Sequence, residues 1–258
     1  MQAEQLIFTA LPGLPLIKAG DDLKALILKG MDRAGLEFED GDVLVLAQKI
    51  VSKSEGRFVY LPDVVPSAEA LKLAQTTGKD ARILEVILGE SRSILRQREG
   101  LIVVEHRLGF VCANAGVDRS NVRGEYGEDE DWILLLPEDP DHSAKKIRTE
   151  LEEATGKQLG VLIIDSHGRA WRMGTAGVCI GAAGFPVLLD LRGEPDLFDV
   201  TLKSTEVGLA DEIASGASAL MGQANEGRPV IHLRGLPYSL REGSCAEIIR
   251  PKEQDLFR

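Results

Sequence analysis

Apolar residues along this chain alternate between strand-like and helix-like spacing, but in an irregular order. Residues 43–46 and 161–164 are uninterrupted apolar runs, typical of buried strands. Residues 21–35, which begin with two aspartates and end with glycine, have helical spacing, as do residues 143–156. A doubly wound parallel sheet would require strict strand–helix–strand alternation. The pattern therefore predicts an α/β chain of the mixed α+β type.

Further elements are predicted along the rest of the chain. Three more helices are expected at residues 66–77, 80–95 and 204–221. Three more strands are expected at residues 101–105, 110–114 and 229–233. The acidic stretch 124–131 predicts a solvent-exposed loop.

The balance of charge limits the partners. Forty-one acidic residues against thirty Lys and Arg give a net charge of −11, and such a surface repels nucleic acid and anionic membranes. No apolar run approaches the ~20 residues that span a bilayer, and the N-terminus lacks the features of a signal peptide. Three widely separated cysteines without a CxxC pair are typical of reduced thiols. We therefore expect a cytoplasmic protein without nucleic-acid or membrane partners.

Familiar nucleotide and hydrolase motifs are absent from the sequence. The pair Gly156-Lys157 is not a P-loop, because Gln158 follows where Ser or Thr is required. The glycine-rich stretch 174–184 has no GxGxxG and is predicted to begin in a loop. No GxSxG, HExxH or kinase signature is present. Any nucleotide site is therefore built from other residues.

Three polar segments that follow apolar strands carry the candidate chemistry. The first, residues 48–57, contains Lys49, Lys53 and Arg57. In an acidic protein, these cations predict a local positive pocket for phosphate oxygens. A solvated charged loop is the alternative interpretation.

The second and third segments supply oxygen ligands. Residues 114–122 alternate Asn, Asp and Ser with small residues, a set that suits Mg²⁺ or Mn²⁺; an Asx-rich turn is the alternative. Asp165 follows the apolar run 161–164 and precedes a hydroxyl, as metal ligands do in phosphoryl-transfer enzymes. Arg169 and Arg172 either neutralise an anionic substrate or are ordinary surface arginines.

Seven motifs occur in a fixed order over roughly residues 10–238: GLPLI, AQKIVSKSEGR, NAGVDRSNV, DPDHSAKKIR, DSHGRAWRMGTAGVCIG, GLADEIASGASALMGQANEG and RGLPY. Together they resemble the coenzyme F420-0:gamma-glutamyl ligase family. The resemblance implies a gamma-glutamyl ligase-like fold with largely antiparallel sheets and two closely packed subdomains. It implies a ligase domain over residues 1–247 and a tail over residues 248–258, either as a stand-alone ligase or as the ligase half of a fused protein. It also implies a homodimer.

The resemblance implies a GTP-dependent ligase of coenzyme F420 biosynthesis. The γ-phosphate of GTP would activate the terminal carboxylate of the deazaflavin precursor F420-0 as an acyl phosphate. The amine of L-glutamate would then displace phosphate, with GDP as the other product, and later glutamates would join by γ-linkages. Because three anions converge, two divalent ions (Mg²⁺ or Mn²⁺) and also K⁺ are expected as cofactors.

The resemblance also assigns site residues. Catalytic roles fall on Asp118, Asp165 and Lys53. Metal positions fall on Asp118 and Asp165 for one ion, and on Ser166 and Gln223 for a second ion. The archaeal members have Thr at the position of Ser166 and an acidic residue at that of Gln223, so the second ion would be held more weakly. Nucleotide contacts fall on Leu14, Pro15, Leu16, Ile17, Gln48, Lys49, Lys53, Asn121, Met221, Gly222, Gln223, Ala224, Asn225, Glu226 and Gly227.

Two other functions remain open at this stage. One is an amide ligase of the same fold that acts on a different carboxylate, because no residues that recognise the deazaflavin ring are identified. The other is a nucleotide-binding regulator without catalysis. For residues 14–17, spacing alone favours a buried turn, and only the resemblance indicates a nucleotide contact.

Overall fold

The computed structural model describes residues 4–256. Its helices are α1 Leu23–Ala34, α2 Gln48–Ser54, α3 Ala68–Thr77, α4 Ala81–Gly89, α5 Pro140–Thr155 and α6 Leu209–Met221. Its strands are β1 Ile7–Ala10, β2 Val43–Ala47, β3 Phe58–Tyr60, β4 Ser91–Arg98, β5 Leu101–His106, β6 Val111–Ala113, β7 Trp132–Leu134, β8 Gly160–Arg169, β9 Arg172–Ala183, β10 Leu189–Asp190, β11 Glu206–Val207 and β12 Val230–Arg234. Residues 1–3 and 257–258, the outer ends of the predicted domain and tail, lie outside the described residues.

Five strands form the central sheet, in the order β1-β12-β2-β8-β9. Strands β2 and β8 run parallel, and the other pairings in this sheet are antiparallel. The smaller sheets β4-β5-β6, β3-β7 and β10-β11 are antiparallel. The prediction of a mixed α+β fold with largely antiparallel sheets is confirmed.

Both faces of the central sheet are covered by helices. Leu44 and Leu46 of β2 belong to the core that α1 and α5 complete, whereas Val43 and Val45 belong to the core that α6 completes. Successive side chains of a strand point to opposite faces, so an uninterrupted apolar run suits a strand buried on both sides. The result is a helix–sheet–helix arrangement that fixes the ends of β2 and β8.

A smaller core lies beside the three-stranded sheet. Ile83, Leu84 and Ile87 of α4 pack there with Ile102 and Val104 of β5. Helix α3 and one face of the ribbon β3-β7 complete this core. The ribbon therefore stands between the smaller core and the region where β2 ends.

Local capping signals place several helix ends as predicted. The side chain of Asp22 accepts a hydrogen bond from the backbone of Ala25 at 3.0 Å, and Gly35 ends α1 in the left-handed conformation at φ 64°. Gly156 ends α5 in the same way, at φ 68°. Helix α5 begins at Pro140, three residues before the predicted start, because Asp139 caps it.

Three sequence predictions were wrong. The helix expected over residues 80–95 ends at Gly89, and the following polar residues form β4, because pairing with β5 outweighs their local preference. The helix expected over residues 204–221 begins at Leu209, after the short strand β11. The glycine-rich stretch 174–184, expected to begin in a loop, lies largely in β9. Its Gly177 and Gly181 lie against the backbones of Ala214 and Pro140, where a side chain would not fit.

Among residues 4–256, no helix combines the length and the apolar character needed to cross a membrane.

Candidate active site

A large cavity, of about 1760 Å³, is lined by residues from all three polar segments of the sequence. Among the cations of the first segment, Arg57 does not line the cavity, since it donates to the Leu136 backbone oxygen at 2.9 Å and pairs with Glu90 at 3.3 Å. Every residue that the resemblance assigned to the site does line it. These residues come from the loop before α1, from α2, from the loop after β6, from β8 and from the loop after α6. The fold thus brings together parts of the chain that are more than two hundred residues apart.

The cationic segment is a helix, not the loop that the alternative interpretation assumed. Strand β2 ends at Ala47 and α2 begins at the next residue, so Lys49 and Lys53 lie one turn apart on the same helix face. The ammonium of Lys49 contacts the backbone oxygen of Ser120 at 3.0 Å and its hydroxyl at 2.8 Å. The ammonium of Lys53 donates to the backbone oxygen of Asn121 at 2.6 Å. Burial, together with Lys49, lowers the pKa of Lys53.

Both the backbone and the side chain of Asp118 are held by neighbouring residues. Its backbone pairs with Leu134 of β7 through two hydrogen bonds of 2.9 Å. Its carboxylate accepts a hydrogen bond from the Gln48 amide at 2.8 Å and lies 3.4 Å from the Lys49 ammonium. Burial raises the pKa of Asp118, Lys49 opposes that shift, and the negative charge of Asp165 adds to it. Two carboxylates therefore act on one another inside the cavity.

Asp165 lies within β8 rather than at its end, because the strand continues to Arg169 as the first half of a hairpin with β9. The ring Nε2 of His167 donates to the Asp165 carboxylate at 3.1 Å. Burial acts to raise the pKa of Asp165, but the hydrogen bond and charge of His167 outweigh it, and the pKa is lowered. Alternate residues of a strand share a face, so the position of His167 two residues after Asp165 was the signal for this contact in the sequence.

The loop after β6 is strained and rich in oxygen atoms. Asn114 and Ala115 both have φ 52°, and Asn121 has φ 56°, values that non-glycine residues rarely adopt. The side-chain oxygen of Asn114 is buried without a hydrogen-bond partner. An unsatisfied buried oxygen in a cavity wall is costly unless a ligand or water completes it. The conformation of this loop therefore suits a ligand that binds oxygen atoms, either a cation or a hydrogen-bond donor.

Neutral oxygens complete the acidic part of the cavity. The Ser166 hydroxyl donates to the side-chain oxygen of Gln223 at 2.8 Å, and the Gln223 amide donates to the Ser218 hydroxyl at 2.9 Å. Within the described residues, no three His, Cys, Asp or Glu side chains form a ready metal cluster. Two carboxylates with neutral oxygens suit Mg²⁺, which usually takes only one or two carboxylates and completes its shell with phosphate and water.

The loop after α6 closes the cavity opposite Asn121. The Asn121 amide donates to the backbone oxygen of Ala224 at 3.2 Å. The Glu226 carboxylate accepts from the Ala224 amide at 2.8 Å. Gly222 has φ 77°, and a Cβ at this position would lie 2.2 Å from the Glu226 carboxyl carbon. Glycine is thus required for this turn.

Residues 14–17 are only partly the buried turn that spacing alone favoured. Ile17 packs in the core beside α1, whereas Leu16 is 84% exposed at the edge of the cavity. Arg169 and Arg172 do not line the cavity, and both are exposed. Their expected role in neutralising a substrate in this cavity is therefore not supported.

Sequence reasoning missed an aromatic part of the cavity. Phe58, Tyr60, Tyr126 and Trp132 line it next to the polar segments. The stretch 124–131 is the largely exposed loop that the sequence predicted, and it also contacts Trp132, whose indole nitrogen donates to the backbone oxygen of Tyr126 at 2.6 Å. The alternation of aromatic residues at 58 and 60 was the available signal.

Known proteins are similar to this chain over nearly its whole length. Residues 13–235 match the model of the family described as F420-0:Gamma-glutamyl ligase. A protein named coenzyme F420:L-glutamate ligase from Methanothermobacter thermautotrophicus is 47% identical over 248 residues, covering 95% of this chain and 96% of its own length. Proteins of the same name from Methanocaldococcus jannaschii and Methanopyrus kandleri are 44% and 46% identical over 246 residues; they cover 95% and 94% of this chain, and 94% and 93% of their own length.

These matches confirm the prediction of an enzyme that forms carbon–nitrogen bonds. They extend over nearly the whole chain and include each of the segments that line the cavity. The chain belongs to the F420-0:gamma-glutamyl ligase family.

Proposed function

We propose that this chain uses GTP to join L-glutamate to the carboxylate of coenzyme F420-0, a deazaflavin precursor. The observation that carries the proposal is the convergence of Asp118, Asp165, Lys49 and Lys53 in one cavity. Activation of a carboxylate by a nucleoside triphosphate needs such a group, because phosphates and an anionic acceptor must be held side by side. The names of the relatives point to the coenzyme and to L-glutamate as substrates.

The two lysines of α2 are placed to bind the phosphates. Each now contacts a backbone oxygen of the loop after β6. Phosphate oxygens would replace those neutral partners with charged ones, and a charge-assisted hydrogen bond is roughly twice as strong as a neutral one. The carboxylates that line the rest of the cavity would repel the triphosphate. The two lysines of α2 therefore determine where the triphosphate lies.

The residues present fit a divalent cation, Mg²⁺ or Mn²⁺. Asp118 and Asp165 would hold one ion, and the unsatisfied Asn114 oxygen in the same cavity supports this fit. Ser166 and Gln223 offer two neutral oxygens for a second, weaker ion, and K⁺ is proposed as a further cofactor. When bound, such ions neutralise charge on the phosphates and on the transition state.

The chemistry proceeds in two displacements. The acceptor carboxylate attacks the γ-phosphorus, forming an acyl phosphate and releasing GDP. The amine of glutamate then attacks the acyl carbon, phosphate leaves with the bridging oxygen, and the nitrogen loses a proton to water. The step is feasible because phosphate is a far better leaving group than oxide. Lys49 and Lys53 hold the transferred group, while the loops around Asn121 and Ala224 enclose it.

Mass spectrometry of the reaction products tests this function. Purified protein with F420-0, GTP, Mn²⁺ and L-glutamate should yield increments of about 129 Da, with one GDP per glutamyl unit, as acyl-phosphate activation requires. GDP release without a gain in mass would contradict the proposal. Addition of glutamate to another carboxylate but not to F420-0 would indicate an amide ligase of different specificity. Nucleotide binding without any product would indicate a regulator.

We further propose that the chain functions as a homodimer. Trp171 and Met173 at the β8-β9 turn, and Leu197 and Phe198 after β10, are 85–97% exposed. Apolar side chains that are exposed as contiguous patches mark interaction surfaces, and the members of each of these two pairs lie within two residues of one another in the chain. Light scattering should give twice the monomer mass, and Phe198→Ser should shift the equilibrium toward monomer. A wild-type protein that stays monomeric at micromolar concentration would contradict this proposal.

A further inference from the structure

One wall of the large cavity is aromatic. It consists of Phe58, Tyr60, Tyr126 and Trp132, which we call the aromatic wall. The ring centroids of Tyr60, Tyr126 and Trp132 lie 5.0 Å from one another, and that of Phe58 lies 6.2 Å from Trp132. These are the separations of a packed aromatic cluster, yet Tyr126 remains 58% exposed.

The ribbon β3-β7 explains why the aromatic side chains lie together. Tyr60 pairs with Trp132, and Phe58 pairs with Leu134. Because side chains alternate along a strand, the intervening Val59 and Ile133 face the smaller core, and they pack there. The aromatic residues of the ribbon are left on the opposite face, toward the cavity.

The aromatic wall begins close to the acidic pair. Leu134 is the β7 residue that pairs with Asp118, and Trp132 lies two residues earlier on the same strand. At 3.2–3.4 Å per residue, the two backbone positions on β7 are about 7 Å apart. A ligand whose carboxylate end reaches Asp118 can therefore extend along the wall.

The charges around the wall select against a nucleoside triphosphate. Asp63, Glu125 and Asp129 line the same cavity as the aromatic wall, and Arg123, which pairs with Asp129 at 2.9 Å, offsets only one of these three charges. The lysines of α2 lie beside the loop after β6 instead. These acidic side chains repel a triphosphate, whereas an uncharged ring is not repelled. The cavity volume of about 1760 Å³ also exceeds the roughly 300–1,000 Å³ of a typical single-ligand site. It has room for a second ligand beside the nucleotide.

We propose that the aromatic wall stacks against the flat fused ring of the acceptor substrate, with Tyr126 and Tyr60 as the main contacts. This inference rests on the proposed function, because that function supplies an acceptor with a deazaflavin ring. Stacking on aromatic side chains fixes a flat ring at one end of the molecule. The carboxylate at the other end is then presented to the transferred phosphate near Asp118.

Two measurements test the wall. Tyr126→Ala and Tyr60→Ala should raise the KM for the acceptor about 5- to 150-fold, the range of stacking losses seen for nucleobases. The KM for GTP and the kcat at saturating acceptor should change less than two-fold. Tyr126→Phe should retain the wild-type KM, and Tyr238→Ala, which removes an exposed tyrosine outside the cavity, is the matched control.

The second measurement needs no turnover. The chain has two tryptophans, so Trp171→Phe leaves Trp132 as the only reporter. A deazaflavin chromophore without the phosphate and carboxylate tail should quench its fluorescence, and adding Tyr126→Ala should weaken that binding by the same factor.

The outcomes distinguish the proposed function from the ring-binding role of the aromatic wall. Quenching that persists in a protein without glutamate-adding activity would refute the proposed function but retain the wall as a ring-binding site. Glutamate addition with normal acceptor KM in both alanine variants would overturn the wall and retain the function. A raised KM for GTP alone would assign the wall to the guanine base, and an absence of quenching in the Trp171→Phe protein would also overturn the inference.

Discussion

Replacing Lys53 with methionine removes one of the two cations of α2 and keeps most of the apolar stem. The Lys53 ammonium donates to the Asn121 backbone oxygen at 2.6 Å, and burial together with Lys49 lowers its pKa. A hydrogen bond to a charged group contributes about 1.5–3 kcal/mol, so the Kd for GTP should rise about 10- to 150-fold. Loss of the bond to Asn121 is offset by removal of a desolvated charge, so the free energy of unfolding should change by less than about 1 kcal/mol.

Isothermal titration calorimetry with GTP measures the first effect, and urea unfolding measures the second. Lys29→Met, on the exposed face of α1, is the matched control and should bind GTP normally. Lys53→Arg keeps the positive charge and should recover part of the affinity. If Lys53→Met binds GTP as tightly as the wild type, the helix face is only a solvated charged surface, and the assignment of the triphosphate to α2 is wrong.

Three further predictions concern the acidic pair, a turn and acid stability. Asp165→Asn should fold normally, but it should lower turnover by about 10³-fold and reduce the Mn²⁺-induced rise in Tm. A normal turnover together with a normal Mn²⁺-induced rise in Tm would place the metal elsewhere. Gly222→Ala should weaken GTP binding in calorimetry, because its φ of 77° and the nearby Glu226 carboxylate exclude a side chain; unchanged affinity would remove the loop after α6 from the nucleotide site. Against the effect of burial, His106, whose ring nitrogen lies 3.6 Å from the carboxylate, and Arg107, which donates to it at 2.8 Å, lower the pKa of Glu90 to about 2. Its stabilising contribution is therefore complete above pH 4.5, its usual pKa, and is lost as the pH falls toward 2. Urea unfolding should show that Glu90→Gln loses less stability than the wild type as the pH falls from 4.5 toward 2. An equal loss in the two proteins would contradict this assignment.

Features with a local physical cause could be predicted from the sequence. The two-sided burial of β2 is visible in its continuous apolar run, and the ends of α1 follow from a capping aspartate and a left-handed glycine. The segments that meet in the cavity were also identified, because polar residues that follow buried strands are held at the edges of a sheet. Their pairing, Asp118 with Lys49 for example, was not predictable from spacing.

Features that depend on contacts between residues far apart in the chain could not be predicted. Strand β4 has the sequence SRSILRQR, and only its pairing with β5 makes it a strand. The aromatic wall depends on the pairing of β3 with β7, which lie about seventy residues apart in the chain. The extension of β8 beyond Asp165 likewise requires β9 as its partner. Local preference cannot reveal contacts that are set by tertiary structure.

The most direct test of the central claim follows the oxygen atoms of the acceptor carboxylate. F420-0 labelled with ¹⁸O in that carboxylate is incubated with protein, GTP, Mn²⁺ and L-glutamate, and the released phosphate is analysed by mass spectrometry. Activation as an acyl phosphate predicts one ¹⁸O atom in the phosphate for each first glutamyl bond formed, because the carboxylate oxygen attacks the γ-phosphorus and leaves with it. Glutamyl product accompanied by unlabelled phosphate would show that the carboxylate is never phosphorylated, and would contradict the account.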